Sequence, residues 1–242
     1  DPRDLHSFPT RRSSDLNGQR CTAIKIVFVH RKVAGEFNER LAAAVDKLPF
    51  GMPWADGVRI TPLAEAGKPE YLSGLVSDAT TGGAKILNAS GGTVCGTYFH
   101  PAVVYPVNPG MRLWTEEQFG PIIPVAPFDD VEEPVRYVVG SNYGQQVAVF
   151  GSDPDRIADL VDPLVNQVCR VNVNSQCQRG PDAFPFTGRK DSAEGTLSTS
   201  DALRVFSIRT LVAAKGTPAN KEILTRIVRE GKSSFLSTDF IF

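Results

Sequence analysis

Histidine, methionine and tryptophan are scarce in this 242-residue chain, at three, two and two residues, and its four cysteines include no Cys-x-x-Cys pair. Such spacing offers neither a zinc set nor a disulfide framework, so no metal is expected and a reducing cytoplasm is the simplest compartment. A dominant charge is missing as well. With 26 Lys+Arg against 27 Asp+Glu the net charge is −1, which provides no basic field for nucleic acid or an acidic membrane surface. Long apolar runs are also absent: stretches such as 24–29 and 122–128 fall far short of the ~20 residues of a membrane-spanning helix, and prolines interrupt the second. What is present is ordinary. Hydrophobic residues at 41%, charged residues at 22% and a mean hydropathy of −0.14 describe a globular chain able to bury a sizeable core, in one large domain or two small ones.

From residue 22 short β-branched runs alternate with helical stretches, which predicts an α/β fold with a parallel-rich sheet flanked by helices. Strands are expected at 24–30, 84–87, 97–105, 122–128, 146–150 and 168–173, and helices at 33–48, 65–80, 131–139, 153–165 and 219–229. Asp129 or Asp130, and Ser152 or Asp153, are the expected N-caps of the helices at 131–139 and 153–165. Residues 88–96 read as turn-rich and 178–195 as a long loop, a kind of segment that is usually functional. Residues 205–213 form a last β-prone run, and the chain closes on Phe240, Ile241 and Phe242.

Residues 1–16 follow no structural period. Residues 6–16 resemble the in-frame translation of a common short-read sequencing adapter, so 1–16 is expected to be non-native and the rest of the chain a fragment. Just after it, Cys21 lies in a polar, glycine-containing turn beside the guanidinium of Arg20, surroundings in which a thiol can act as a nucleophile. Taken alone, such a cysteine is more often a small buried apolar side chain. Cys169 falls in a strand pattern that suggests core, and Cys95 and Cys177 carry no local signal.

Four ordered strings change that balance. Gly18-Gln19-Arg20-Cys21-Thr22-Ala23 resembles the catalytic-cysteine motif of the aldehyde dehydrogenase superfamily, and Glu116-Glu117-Gln118-Phe119-Gly120-Pro121 resembles its cofactor-contacting motif. Asn142-Tyr143-Gly144 followed by 147–150, and Phe184-Pro185-Phe186-Thr187-Gly188-Arg189-Lys190-Asp191-Ser192, are similar to two further stretches of that family. The sequence Arg179-Gly180-Pro181-Asp182-Ala183-Phe184 most resembles the branch that oxidises glyceraldehyde-3-phosphate with NADP and without phosphorylation.

By matched position, the resemblance implies that Cys21 attacks the aldehyde to form a thiohemiacetal, which becomes a thioester after hydride transfer and is then hydrolysed. The Cys21 N–H would be half of an oxyanion hole. Glu117 and Phe119 would contact the nicotinamide-side ribose of NADP, with NAD an alternative, and Arg20 and Arg179 would hold the substrate phosphate. Residue by residue these are also readable as a solvated acidic turn, a core aromatic and surface charges. The family's Gly-x-Gly after Lys-x-Ser is replaced here by Ala193-Glu194-Gly195. The resemblance divides the chain into a catalytic-domain portion at 17–215, ending in a β-prone oligomerisation run, and an extension at 216–242, with the Rossmann cofactor domain, the general-base glutamate and the oxyanion-hole asparagine outside it. An isolated chain is therefore expected to lack NADP-dependent turnover, and a homo-oligomer is expected for the full-length parent. Two alternatives stand beside this reading: another aldehyde, such as a semialdehyde, as substrate, and a non-catalytic module whose 205–213 run adds to a partner sheet.

Overall fold

The computed structural model describes residues 15–180, 184–196, 198–206, 208 and 210–236; the adapter-like stretch up to residue 14, the 181–183 part of the arginine-containing loop and the apolar 240–242 end lie outside these. The chain divides into two units, Asp1–Asp201 and Ala202–Phe242.

In the first unit, β1 (Val27–His30) leads directly into α1 (Arg31–Asp46), whose first turn is capped by His30 Nδ1 accepting from the Lys32 N–H at 3.2 Å. The strand is shorter than the 24–30 run expected, because the carbonyls of Ile24 and Lys25 accept from the Gln118 side chain instead of a neighbouring strand. Next come α2 (Lys68–Thr81), with Pro69 in its first turn, and β2 (Lys85–Ile86). Within the stretch read as turns lies β3 (Val94–Cys95), which pairs antiparallel with β4 (Tyr98–Phe99) about Gly96 at φ +60°. The single strand expected at 97–105 is two: Pro101 has no N–H to give a ladder, and β5 (Ala102–Tyr105) starts after it. A one-turn helix, α3 (Arg112–Thr115), was not foreseen, since one turn carries no periodicity to read.

The expected central strand is found over its full length as β6 (Ile122–Phe128). The main sheet runs β1-β6-β5-β2, with β1, β6 and β5 parallel and β2 antiparallel at the edge. Ala102, Val104 and Ile122 face one cluster with Leu72, Leu75 and Ala79 of α2, whereas Val103, Ile123 and Val125 face another with Leu41 and Val45 of α1. Alternate residues of one strand thus meet helices on opposite faces, which is why these strands read as continuous apolar runs.

Beyond β6 lie α4 (Glu132–Gly140), β7 (Tyr143–Gly144), β8 (Gln146–Val149), α5 (Pro154–Leu164) and β9 (Arg170–Val173). Asp153 caps α5 as expected, accepting from the N–H groups of Asp155 and Arg156. Val131 stands at the cap of α4 without a side-chain bond, but Asp130 accepts from the Glu132 N–H at 3.1 Å, so the sequence signal found the capping side chain one residue early. Strands β8 and β9 form a separate parallel pair. The long loop holds β10 (Arg189–Lys190), antiparallel to β7. Then α6 (Thr199–Val205) closes the first unit's sequence and crosses into the second. There α7 (Pro218–Arg229) is capped by Thr217, which accepts from the Asn220 N–H at 3.3 Å. The described residues of the 205–213 run form no strand, and Phe206, Ile208 and Leu211 are exposed.

One buried amide knits the loop after β2 to β5. Asn88 Nδ2 donates to the Pro101 carbonyl at 2.8 Å and Asn88 Oδ1 accepts from the Val103 N–H at 2.9 Å. Asn88→Ala leaves both groups buried without partners, and the expected loss is ~2 to 4 kcal/mol of unfolding free energy, measured by urea titration. A change below ~0.5 kcal/mol would count against it.

Candidate active site

Cys21 occupies a turn closed by the Ala23 N–H donating to the Arg20 carbonyl at 2.9 Å. The turn is anchored upstream by Asn17, 3% exposed, whose Nδ2 donates to Thr61 Oγ1 at 3.0 Å and whose Oδ1 accepts from the Thr61 N–H at 2.9 Å. Lying six residues ahead of β1, the turn leaves the thiol exposed.

The turn after α3 is placed beside it by Gln118. This side chain is 2% exposed, and its Nε2 lies 2.8, 3.1 and 3.1 Å from the carbonyl oxygens of Ile24, Lys25 and Ile122. The two glutamates before it then part company. Glu116 forms a two-point pair with Arg112, Oε1 to Nε at 2.7 Å and Oε2 to Nη2 at 2.8 Å, and this hydrogen bonding holds its carboxyl below the usual range. Glu117 lines a cavity of about 670 Å³, and its backbone carbonyl accepts from Tyr71 Oη at 3.0 Å. The next residue but one, Phe119, has φ +41° and is 37% exposed, on the same turn but not among the cavity's walls.

Arg20, Cys21, Glu117 and Arg179, drawn from three distant parts of the sequence, line this one cavity. The two arginines and the thiol thus share the lining of one cavity. The Arg179 guanidinium lies 5.5 Å from the ring of Phe186.

Three groups on the walls carry no signal in the sequence. Lys25 Nζ donates to the Leu113 carbonyl at 2.7 Å and feels Glu117 and Glu116; burial outweighs them and brings its pKa down to about 8. Tyr137, in an aromatic set with Phe28 and Trp114 at centroid distances of 5.0 and 5.1 Å, is pushed up by burial to about 12. Cys177, a second thiol on the same walls, is pushed up by burial to about 11 and stays neutral at pH 7, so two cysteines share the cavity with different surroundings.

The low pKa of Lys25 has a consequence for stability. Below pH 8 both folded and unfolded chains are protonated there and the full burial penalty applies; between pH 8 and 10.5 the unfolded chain binds the extra proton, so stability rises with pH. The unfolding free energy of the wild type, less that of Lys25→Met, is expected to grow by up to ~3 kcal/mol across that window. Chemical unfolding at a series of pH values measures it, and a flat difference would contradict a buried Lys25.

Residues 10–212 match the aldehyde dehydrogenase family. The NADP-dependent glyceraldehyde-3-phosphate dehydrogenase of Arabidopsis thaliana is 35% identical over 210 residues, covering 84% of this chain and 40% of that protein. Among solved structures, the NADP-dependent glyceraldehyde-3-phosphate dehydrogenase of Bacillus halodurans C-125, complexed with NADP, superposes with a TM-score of 0.78 at 33% identity, over 84% of this chain and 42% of that one. The succinate-semialdehyde dehydrogenase of Burkholderia pseudomallei superposes at 0.75 and 28% identity, over 81% and 40%. The chain spans about two fifths of the length of the curated relatives it matches, 40% in the Arabidopsis case. With a family match over most of its residues and the same α/β architecture in solved relatives, the chain belongs to the aldehyde dehydrogenase family.

Proposed function

We propose that this chain carries the thiol and substrate end of an enzyme that oxidises glyceraldehyde-3-phosphate with NADP to the 3-phospho acid. The observation that carries the reading is the joint placement of Arg20, Cys21, Glu117 and Arg179 on one cavity. Cys21 sulfur adds to the aldehyde carbon, and the Cys21 N–H supports the oxygen as it gains charge. The nicotinamide, when bound, supplies the hydride acceptor. Loss of hydride leaves a thioester on Cys21, which water cleaves to acid and free thiol. The residues present fit the ribose beside the nicotinamide: Glu117 offers only acceptors to hydroxyl donors at the cavity wall, and Phe119 adds an exposed apolar ring on the same turn. Arg20 and Arg179 supply two planar, permanently charged forks, the chemistry that suits a compact dianion.

A second reading keeps the chemistry and replaces the phosphate with a carboxylate, as in a semialdehyde. It is favoured by the fold match to the Burkholderia pseudomallei enzyme, and a guanidinium pair accepts either anion.

Alkylation by iodoacetamide at neutral pH, mapped by mass spectrometry, separates the two. Cys21 is expected to label ahead of Cys177. Glyceraldehyde-3-phosphate is expected to protect it at lower concentration than unphosphorylated glyceraldehyde or succinic semialdehyde, and Arg179→Gln to remove about 10- to 100-fold of that advantage, the size of a charge-assisted pair. Equal or better protection by succinic semialdehyde would decide for the second reading.

A further inference from the structure

Arg179 sits in a segment without helix or strand, a poor place from which to aim a long side chain, yet both its flanks are tied down. The Gln146 amide grips Gln178 twice: Oε1 accepts from the Gln178 N–H at 3.0 Å and Nε2 donates to the Gln178 carbonyl at 2.8 Å. Arg170 Nη1 reaches across the other flank, 3.3 Å from the Gln178 carbonyl and 2.8 Å from that of Gly180. Gln146 and Arg170 are direct partners in the parallel β8–β9 register. Asn172, two residues further on the same face of β9 and 4% exposed, donates from Nδ2 to Gln146 Oε1 at 3.2 Å and fixes which way the amide points. Aromatic rings complete the support, with Arg170 5.2 Å from Phe184 and Arg179 5.5 Å from Phe186.

We propose that Gln146 and Arg170 are positioning residues that hold the 178–180 backbone so that Arg179 meets the anionic end of the substrate already oriented. The inference rests on the role given to Arg179 above. A free loop would have to be ordered each time ligand binds, and that ordering subtracts from affinity; a loop bolted to a strand pair at Gln178 and Gly180 has lost the freedom beforehand. The arrangement therefore acts on recognition of the anion, whereas the thiol, on a different turn anchored by Asn17 and Thr61, is independent of it.

The same Cys21 protection assay tests this on the full chain, with Gln146→Ala and Arg170→Ala. Each is expected to raise the half-protecting concentration of glyceraldehyde-3-phosphate about tenfold, while that of unphosphorylated glyceraldehyde and the alkylation rate without ligand stay unchanged. A merely structural role would shift both aldehydes together. Arg170→Lys, which keeps hydrogen-bond donors, is expected to recover part of the preference, and it provides the reading if an alanine variant fails to melt cooperatively. If Arg179→Gln removes the preference for the phosphorylated aldehyde but Gln146→Ala and Arg170→Ala leave it intact, the positioning inference is overturned and the site assignment survives. If the wild type shows no preference, the assignment of Arg179 falls and this inference with it.

Discussion

The geometry of the site depends on one buried amide. Gln118 offers its Nε2 to three carbonyls, those of Ile24 and Lys25 ahead of β1 and that of Ile122 at the start of β6. Strands β1 and β6 are already neighbours in the sheet, but sheet pairing begins only at Val27 and leaves the preceding residues unladdered. The amide satisfies those carbonyls, and in doing so it holds the thiol-bearing approach to β1 against the turn that carries Glu117. A buried carbonyl without a partner is unfavourable by ~1 to 3 kcal/mol, so a side chain that answers several at once is a stiff joint.

Charge is sorted around that joint. Of two adjacent glutamates, Glu116 is drawn off by Arg112 across α3, and Glu117 is left on the cavity wall near Lys25. The same walls hold Arg20 and Arg179, so cations outnumber carboxylates where a substrate would sit, in a chain whose overall charge is −1. In a chain so nearly neutral the field inside the cavity is set by these local groups, because exposed charges elsewhere are screened within about 8 to 10 Å at moderate salt. The thiols differ in a parallel way: Cys21 is exposed, while Cys177 on the same walls is kept neutral by burial, which outweighs Arg170 and the Asn172 amide beside it.

The support for the site also grades outward. The thiol turn leans on Asn17 and Thr61, the Glu117 turn on Gln118 and Tyr71, and the loop after β10 on Lys190, whose Nζ donates to the carbonyls of Val138, Val139 and Ser141 at the end of α4. Ser192 extends the tie by accepting from the Gly144 N–H at 2.8 Å. These loops are thus fastened by side-chain-to-backbone bonds to distant segments of the chain, helix ends among them.

The sequence by itself determined the layered α/β plan, because an apolar period survives wherever a strand or helix is long enough to express one: β6 was readable end to end, and Asp153 declared the start of α5. It also offered the thiol, the carboxylate and the two arginines as candidates, through strings that resemble the family's motifs. What only the tertiary structure decided are the pieces too short for a period, such as α3, β3, β7 and β10, and the truncation of β1 by a side chain 94 and 93 residues from the two carbonyls it takes. It alone brought Arg20 and Arg179 to one cavity. It alone gave Lys25, Cys177, Gln146 and Arg170 their neighbours, since a lysine in an apolar run or the second of two adjacent glutamines meets its partners only through the carbonyls and charges that another part of the chain brings to it.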